Sequence, residues 1–266
     1  MTKVWLKHLK FQLHQMKLKK SLGQNFLQDA VFLEKIYKSS GINSKSEVIE
    51  IGPGDGALTK LIVEQAKDTL AFEIDERFAS KLTKDFEKKA FQVKCTDFLS
   101  VNLKELKFLN PIIVGNLPYN VSSQIILKII ESNINFESCI FLIQKELANR
   151  FVPENKSTKI SIQSKIFTEI EKLFDIPPGA FDPEPKVFST LIKITPNKKY
   201  EEFYSSYPSF KKILSRCFQN PRKQIKHALK QMNLDEKVYS FDETSRAEDL
   251  EINHYFEILK YYENEI

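Results

Sequence analysis

Cysteine, histidine and long apolar runs are scarce in this chain of 266 residues, and each scarcity excludes a class of protein. The three cysteines, Cys95, Cys139 and Cys217, are odd in number and widely spaced, so they predict neither a disulfide framework nor a metal-ligand pair. The four histidines show no ligand spacing, and we expect no metal. No apolar run approaches the length of a membrane span, and the N-terminus lacks the features of a secretory signal. These absences favour a reducing, cytoplasmic compartment and no membrane partner.

Acidic residues are missing from two segments that are rich in lysine and arginine. The first 28 residues and the segment from Phe203 to Leu234 contain no Asp or Glu. One such run is typical of a solvated face whose positive charge is balanced by acidic residues elsewhere in the chain, but two runs together favour a polyanionic partner. We interpret residues 1–19 as a basic arm. In the second run, the spacing predicts Lys223, Lys226 and Lys230 on one face of a helix.

Short β-rich runs alternate with helical patterns through the first two-thirds of the chain. This alternation predicts an α/β fold, with a parallel sheet covered by helices. Beyond Pro196 the strand pattern stops, and apolar residues recur at helical spacing only. We therefore expect a domain over residues 1–196 and a small all-α domain over residues 197–266. The predicted strands are Val48–Ile51, Leu70–Glu73, Gln92–Lys94, Ile112–Val114, Cys139–Leu142, Glu171–Ile176 and Thr190–Thr195.

A glycine-rich turn follows the first predicted strand. Three of the seven glycines lie in the five residues from Gly52 to Gly56, where a backbone that turns sharply around a ligand needs them. With Glu73 at the end of the next strand, the segment also satisfies the dinucleotide fingerprint. An acid at Glu73 suits ribose hydroxyls in either a hydride-transfer enzyme or a methyltransferase. Asp97, after the third strand, suits an adenine amino group or, equally, a helix N-cap.

The end of the fourth strand separates these alternatives. It reads Asn116-Leu117-Pro118-Tyr119. An exocyclic amine is a poor nucleophile because its lone pair is delocalised into the ring, and acceptors on its two N–H bonds draw the nitrogen towards a pyramidal geometry. The Asn116 side-chain oxygen and the carbonyl of Leu117 or Pro118 can act as these acceptors, while Tyr119 can stack on the base. The tetrad therefore predicts methyl transfer to an amino group of a base.

Five motifs in chain order resemble those of the ribosomal RNA adenine N6,N6-dimethyltransferases, in particular the bacterial small-subunit (kasugamycin-sensitivity) type. The resemblance covers roughly residues 19–266, and the five motifs together are far more specific than any one of them. It implies a seven-stranded Rossmann-like methyltransferase domain followed by a helical RNA-docking domain. The motifs are Lys20-Ser21-Leu22-Gly23-Gln24-Asn25-Phe26-Leu27, the glycine turn, the Asn116 tetrad, Gln144-Lys145-Glu146, and Phe181-x-Pro183-x-Pro185-Lys186-Val187-x-Ser189.

The resemblance also implies roles for individual residues. S-adenosyl-L-methionine is the expected cofactor, with Glu73 on its ribose and Asp97 on its adenine. The full set of expected cofactor contacts is Gln24, Asn25, Leu27, Gly52, Gly54, Glu73, Asp97 and Asn116. Tyr119 and Phe181 are expected to sandwich the target base, which completes a catalytic set of Asn116, Leu117, Pro118, Tyr119 and Phe181. The expected RNA contacts are Lys186, Arg222, Lys223, Lys226 and Lys230.

The implied reaction is dimethylation of two adjacent adenosines near the 3′ end of small-subunit (16S) ribosomal RNA, by a monomer. Two alternatives stay open: a large-subunit (23S) dimethyltransferase that confers macrolide resistance, and a non-catalytic ribosome-assembly factor on the same fold. The sequence departs from the family at Ser157-Thr158-Lys159-Ile160, where members usually read Tyr-Gly-Arg-Leu. Lys159 keeps the positive charge of that arginine.

Overall fold

The computed structural model describes residues 25–265, which form two compact units. The first unit takes in residues 25–148 and 171–196, and the second takes in residues 149–170 and 197–265. Gln24 and the predicted basic arm lie outside the described residues.

Within residues 25–265, nine strands form a large sheet and a small ribbon. They are β1 (Phe26–Leu27), β2 (Glu47–Ile51), β3 (Asp68–Glu73), β4 (Phe91–Cys95), β5 (Ile112–Asn116), β6 (Ser138–Gln144), β7 (Thr168–Ile176), β8 (Phe181–Asp182) and β9 (Ser189–Pro196). The large sheet has seven strands in the order β4-β3-β2-β5-β6-β9-β7. Strands β2 to β6 run parallel to one another, and β9 is antiparallel to β6. Apolar residues such as Val48 and Ile49 fill both faces of the central strands, because helices cover a parallel sheet on both sides.

Between residues 25 and 151 of the described structure, five helices alternate with the strands. They are α1 (Ala30–Ser40), α2 (Ala57–Val63), α3 (Glu76–Asp85), α4 (Ser122–Glu131) and α5 (Lys145–Phe151). Asp29 accepts hydrogen bonds from the backbone N–H groups of Val31 and Phe32 at the start of α1, and Asp75 caps α3 through the Arg77 N–H. Gly41, with φ of 71°, ends α1 in the left-handed region. The helix ends therefore coincide with capping residues that are visible in the sequence.

The two-stranded ribbon joins the first and last motifs of the first unit. Strand β1 pairs antiparallel with β8, so that Leu27 lies opposite Phe181. The backbone N–H of Gln28 also donates to the Ala180 carbonyl over 2.9 Å. The ribbon brings the opening motif and the proline-rich loop together although they are far apart in the chain.

The second unit is helical, with α6 (Lys159–Lys165), α7 (Tyr207–Cys217), α8 (Lys226–Gln231) and α9 (Ile252–Asn264). Residues 149–170 belong to it, whereas the sequence placed them in the first domain. The reason is tertiary bonding, since the Ser157 N–H donates to the Glu248 carbonyl over 2.7 Å and the Asn197 N–H donates to the Phe167 carbonyl over 2.8 Å. At the segment that departs from the family, Thr158 forms a capping box with Ser161.

The seven predicted strands are all present, and each extends by one to three residues beyond its predicted bounds at one end or both. The predicted helix over the basic run is shorter than expected. Helix α8 begins only at Lys226, so Lys223 precedes it and does not share its face. The Ile225 N–H donates to the Ser245 carbonyl over 2.7 Å, and Gln224 forms a β-bridge with Arg246, which holds this segment out of the helix.

Gly115 provides a test of how tightly the centre of the sheet is packed. A Cβ atom at this buried position in β5 would lie 2.6 Å from the Ile51 carbonyl oxygen, which is backbone and cannot rotate away. We expect Gly115→Ala to lower the free energy of unfolding by roughly 1–3 kcal/mol, measured by urea denaturation. Gly179→Ala is the matched control, because nothing lies within 4 Å of the added atom. Equal urea midpoints for the two variants would contradict this packing.

Candidate functional site

A cavity of about 150 Å³ opens in the first unit, at the carboxyl ends of β2, β3 and β5. In open α/β sheets, this edge is where ligands bind. The cavity brings together most residues that the sequence singled out. Those in its lining are Asn25, Gly52, Gly54, Glu73, Asp97, Asn116, Leu117, Pro118 and Tyr119.

The glycine turn forms one wall of the cavity. Gly52, Gly54 and Gly56 all have positive φ, at 67°, 55° and 89°, which is a conformation that side chains disfavour. At Gly54 a Cβ atom would also lie 2.5 Å from the ring of Phe26. The Gly52 N–H donates to the Phe72 carbonyl over 2.9 Å, which anchors the turn to β3. Glycine is therefore required at these three positions by the left-handed backbone conformation, and at Gly54 also by the close approach of the Phe26 ring.

Glu73 ties this turn to the end of β3. Its Oε2 accepts a hydrogen bond from the Gly54 N–H over 3.0 Å, and its Oε1 accepts one from the Asp75 N–H over 2.9 Å. The side chain is only 3% exposed, and burial raises the pKa of Glu73, while hydrogen bonds from backbone N–H groups oppose that rise. A carboxylate accepts up to about four hydrogen bonds, so it keeps acceptor capacity for a ligand in the cavity.

Asp97 has the capping role that the sequence offered, and it also lies at the cavity. Its Oδ1 accepts from the Leu99 N–H over 2.9 Å and so caps the short 3₁₀ turn Phe98–Ser100. The residue is exposed to solvent and also lines the cavity. One carboxylate oxygen is thus engaged by the backbone, and the other can bind a ligand.

The Asn116 tetrad forms the opposite wall. The Asn116 Nδ2 donates to the Asn25 carbonyl over 2.8 Å, which sets the orientation of the amide and leaves Oδ1 as the group that can accept from a ligand. The Pro118 carbonyl accepts from the Ser122 Oγ over 2.7 Å and from the Val121 N–H over 3.1 Å. The Tyr119 hydroxyl lies 2.7 Å from the Ser189 Oγ, and burial raises the pKa of Tyr119. The half-buried Tyr119 ring is therefore held at the cavity in its neutral form.

Two residues of the expected site lie elsewhere. Leu27 and Phe181, each 5% exposed, pack in the hydrophobic core with Leu33 and Ile36 and do not line this cavity, although Leu27 lines a smaller cavity that also includes Gly52. Strand pairing places both side chains in the core, because Leu27 and Phe181 are partners in the β1–β8 ribbon. In this arrangement Tyr119 is the aromatic ring of the expected catalytic set that the cavity presents.

Sequence reasoning missed the apolar part of the cavity wall. Phe26, Phe72, Ile74 and Phe98 all line it, and Ile74 is 51% exposed. Ile74 directly follows Glu73, and Phe98 directly follows Asp97. Their positions next to the expected polar contacts could have identified these two residues from the sequence.

A group of buried carboxyl groups beneath the glycine turn was also missed. Glu50 is 2% exposed, and burial, assisted by the charges of Glu73 and Asp55, raises its pKa to about 8. Burial raises the pKa of Asp55 to about 6, although hydrogen bonds from Gln28 and the Ala57 N–H oppose the rise. Both residues line a second, smaller cavity that shares Gly52 and Asn116 with the first.

The expected RNA contacts are exposed lysines and arginine. Lys186 is exposed in the first unit, and Arg222, Lys223, Lys226 and Lys230 are exposed in the second. Lys159, at the departure from the family motif, donates to the Ser215 Oγ over 2.9 Å.

Within residues 25–265, no helix is long and apolar enough to cross a membrane. In the same residues, no group of three or more Asp, Glu, His or Cys side chains is arranged to hold a metal ion.

The chain is similar in sequence and in fold to known proteins. A family model described as "Ribosomal RNA adenine dimethylase" matches residues 15–264. A ribosomal RNA small subunit methyltransferase A of Mycoplasmopsis synoviae (strain 53) is 34% identical over 244 residues, covering 88% of this chain and 93% of the relative. A crystal structure of a dimethyladenosine transferase from Plasmodium falciparum has a TM-score of 0.74 at 23% identity, covering 89% of this chain and 96% of that one. The 23S rRNA methyltransferase ErmE has a TM-score of 0.73 at 19% identity, covering 90% and 100%. The two solved structures share the fold of this chain.

The buried carboxyl group of Glu50 predicts a specific dependence of stability on pH. Its pKa in the folded protein, about 8, exceeds the ordinary value of 4.5, so the folded state increasingly loses stability as the pH rises from that value through 8. Glu50→Gln cannot ionise and should escape this loss, which amounts to roughly 1.4 kcal/mol per unit of pKa difference at most. Urea midpoints at pH 5 and pH 8 measure the effect, with the exposed Glu87→Gln as control. Parallel changes in parent and Glu50→Gln would contradict the buried, protonated carboxyl.

Proposed function

The chain belongs to the ribosomal RNA adenine dimethylase family, and on that premise we propose that it methylates N6 of two adjacent adenosines near the 3′ end of small-subunit ribosomal RNA. The observation that carries the proposal is the Asn116 amide, whose Nδ2 is engaged by the Asn25 carbonyl so that Oδ1 is the atom left for an amine. The small-subunit assignment rests on the relatives, since the fold is shared with a 23S rRNA methyltransferase.

The cofactor of the family reaction is S-adenosylmethionine, and the cavity residues fit it. A sulfonium-bound methyl group is already activated, and this is the chemistry that the cofactor supplies when bound. We assign Glu73, with its remaining acceptor capacity, to the ribose hydroxyls and the second oxygen of Asp97 to the adenine amino group. Gly52 and Gly54 allow close approach of the backbone. The apolar surface for the adenine ring comes from the neighbours of the two acids, Ile74 and Phe98.

The tetrad residues position and polarise the target amine. Asn116 Oδ1 accepts from one N–H of the exocyclic amine, and a backbone carbonyl accepts from the other. The Leu117 carbonyl is the better choice for that role, because the Pro118 carbonyl already accepts from Ser122 and Val121. These two acceptors favour a pyramidal nitrogen, so their hydrogen bonds strengthen as the nitrogen attacks the methyl group. Binding that is stronger in the transition state than in the ground state raises the rate of transfer.

Tyr119 provides the surface on which the base is held. An adenine within ribosomal RNA must leave its stack to reach a cavity of this kind. The hydrogen bond to Ser189 restrains the Tyr119 ring, so that little side-chain freedom is lost when a base stacks on it.

Basic side chains outside the cavity supply affinity for the RNA backbone. The proposed phosphate contacts are exposed, and contacts of this kind strengthen binding without reading sequence. They are Lys186, Arg222, Lys223, Lys226 and Lys230. We propose that the protein acts as a monomer in the cytoplasm.

The function is tested by methyl transfer from labelled cofactor to small and large ribosomal subunits that lack the modification. We expect label on N6 of two adjacent adenosines of the small-subunit RNA, located by mapping the modified nucleotides. Label on the large subunit alone would instead favour the macrolide-resistance activity. Cofactor binding without transfer to either subunit would favour a non-catalytic assembly factor.

The Asn116 hypothesis predicts a lower rate with unchanged RNA binding. Asn116→Ala should lower the single-turnover transfer rate, at saturating cofactor, by about 10²–10³-fold, as for the removal of one preorganised polar group. Affinity for the subunit should barely change, because phosphate contacts elsewhere supply most of it. Asn135→Ala, at an exposed position outside the cavity lining, is the control. Transfer by Asn116→Ala at the parent rate would leave the tetrad as a strand-ending turn only.

The exposed lysines of the second unit predict a salt dependence. Replacing Lys223, Lys226 and Lys230 by Gln should weaken binding to the subunit and reduce the slope of log affinity against log salt by roughly 0.7–0.9 for each phosphate that a lysine no longer neutralises. Lys84, Lys88 and Lys107, replaced together, change the net charge equally and provide the control. A slope that falls equally for both triple variants would make the effect one of net charge, and an unchanged slope would remove the RNA assignment.

A further inference from the structure

Phe188 is an aromatic side chain that the fold leaves in solvent. Among residues 25–265 it is the one phenylalanine or tyrosine that is exposed rather than buried or partly buried, with 47% of its surface accessible. Its neighbour Val187 is 43% exposed, so the two form a small apolar patch. Since the remaining aromatic rings of this region are buried or partly buried, an exposed ring here is a feature that packing does not explain.

The position of Phe188 places it at the edge of the sheet where the cavity opens. It immediately precedes Ser189, whose hydroxyl lies 2.7 Å from that of Tyr119 in the cavity wall. Its carbonyl accepts from the Lys145 N–H over 3.0 Å, and Ser189 pairs with Gln144 at the end of β6. Phe188 is therefore one residue removed from the group that holds Tyr119, on the same edge of the sheet.

Positive charge lies beside the Phe188 ring. The Lys145 Nζ is 5.8 Å from the ring centroid, and it is held by an ion pair of 2.6 Å with Asp175. Asp175 is fixed in turn by a hydrogen bond from the Thr190 Oγ1 over 2.6 Å. Lys186, two residues before Phe188, is exposed. An exposed ring among lysines matches the combination of aromatic platform and basic groove that binds single-stranded nucleic acid.

We propose that Phe188 is a stacking platform for a nucleobase of the RNA strand adjacent to the target adenine. The proposal rests on the function proposed above and adds a second base contact to it. With the target base on Tyr119, the strand leaves the cavity past Ser189, where a flanking base can stack on Phe188 and its phosphate can approach Lys145 or Lys186. Phe188 does not touch the reacting atoms in this arrangement. It positions the strand, and its contribution is to capture of the substrate.

The test is steady-state methyl transfer to undermethylated small subunits at saturating cofactor, with Phe188→Ala, Phe188→Trp and the parent protein. Phe188→Ala should raise KM for the subunit by about five-fold or more, the effect expected for removal of one base–aromatic stack. The value of kcat should stay within about two-fold of the parent. Phe188→Trp should restore KM, because the platform requires a ring and not phenylalanine as such. Leu109→Ala, at an 82% exposed apolar position, is the control for reduced surface hydrophobicity.

The outcomes separate this proposal from the function on which it rests. If the parent transfers methyl groups and Phe188→Ala has the parent KM, the stacking platform is wrong while the function stands. An equal rise in KM for Leu109→Ala would also overturn it, since the effect would then be one of surface hydrophobicity. If the parent transfers no methyl group to small subunits, the function itself fails and this proposal with it. Equal urea midpoints for the parent and the two Phe188 variants establish that a change in KM does not come from unfolding.

Discussion

The cavity depends on one buried hydrogen bond, from the Gly54 N–H to the Glu73 carboxylate. It joins the glycine turn after β2 to the end of β3, and so fixes one wall of the cavity. Burying a carboxylate is costly unless hydrogen bonds compensate it, and the N–H groups of Gly54 and Asp75 provide that compensation. Glu50 and Asp55 add two more buried carboxyl groups beneath the turn. Their raised pKa values limit how much negative charge accumulates beneath the turn.

A second constraint brings the distant motifs to the same edge of the sheet. The hydrogen bond between Asn116 and the Asn25 carbonyl joins the segment entering β1 to the end of β5. The ribbon of β1 and β8 then attaches the proline-rich loop, and the contact of Ser189 with Tyr119 closes the arrangement from the start of β9. Each motif is thus held by another one, which explains why residues that are far apart in the chain lie at one edge of the sheet.

Most of the sheet was predictable because its strands are short apolar runs at regular spacing, and all seven were found by that pattern. The polar cavity residues were predictable for the related reason that parallel strands place their carboxyl ends at one edge. The ribbon was not predictable, because a strand of two residues such as Phe26–Leu27 shows no periodicity. The burial of Phe181 depends on the pairing of β1 with β8, which the local sequence does not reveal. The assignment of residues 149–170 to the second unit, and the position of Lys223 before α8, likewise depend on tertiary hydrogen bonds that no local pattern reveals.

In the reaction we propose, the tetrad supplies hydrogen-bond acceptors and positioning rather than a general base. Asn116 does not ionise, and the raised pKa of Tyr119, bonded to Ser189, keeps its hydroxyl protonated at neutral pH. The two acids of the cavity wall lie at the end of β3 and just after β4, where backbone N–H groups engage Glu73 and the capped turn engages Asp97. A proton acceptor is not needed before the new bond forms, because the amine nitrogen becomes acidic only as it gains the methyl group. In the proposed reaction, the hydrogen bonds that restrain Asn116 and Tyr119 therefore contribute more to the rate than any titration at the tetrad does.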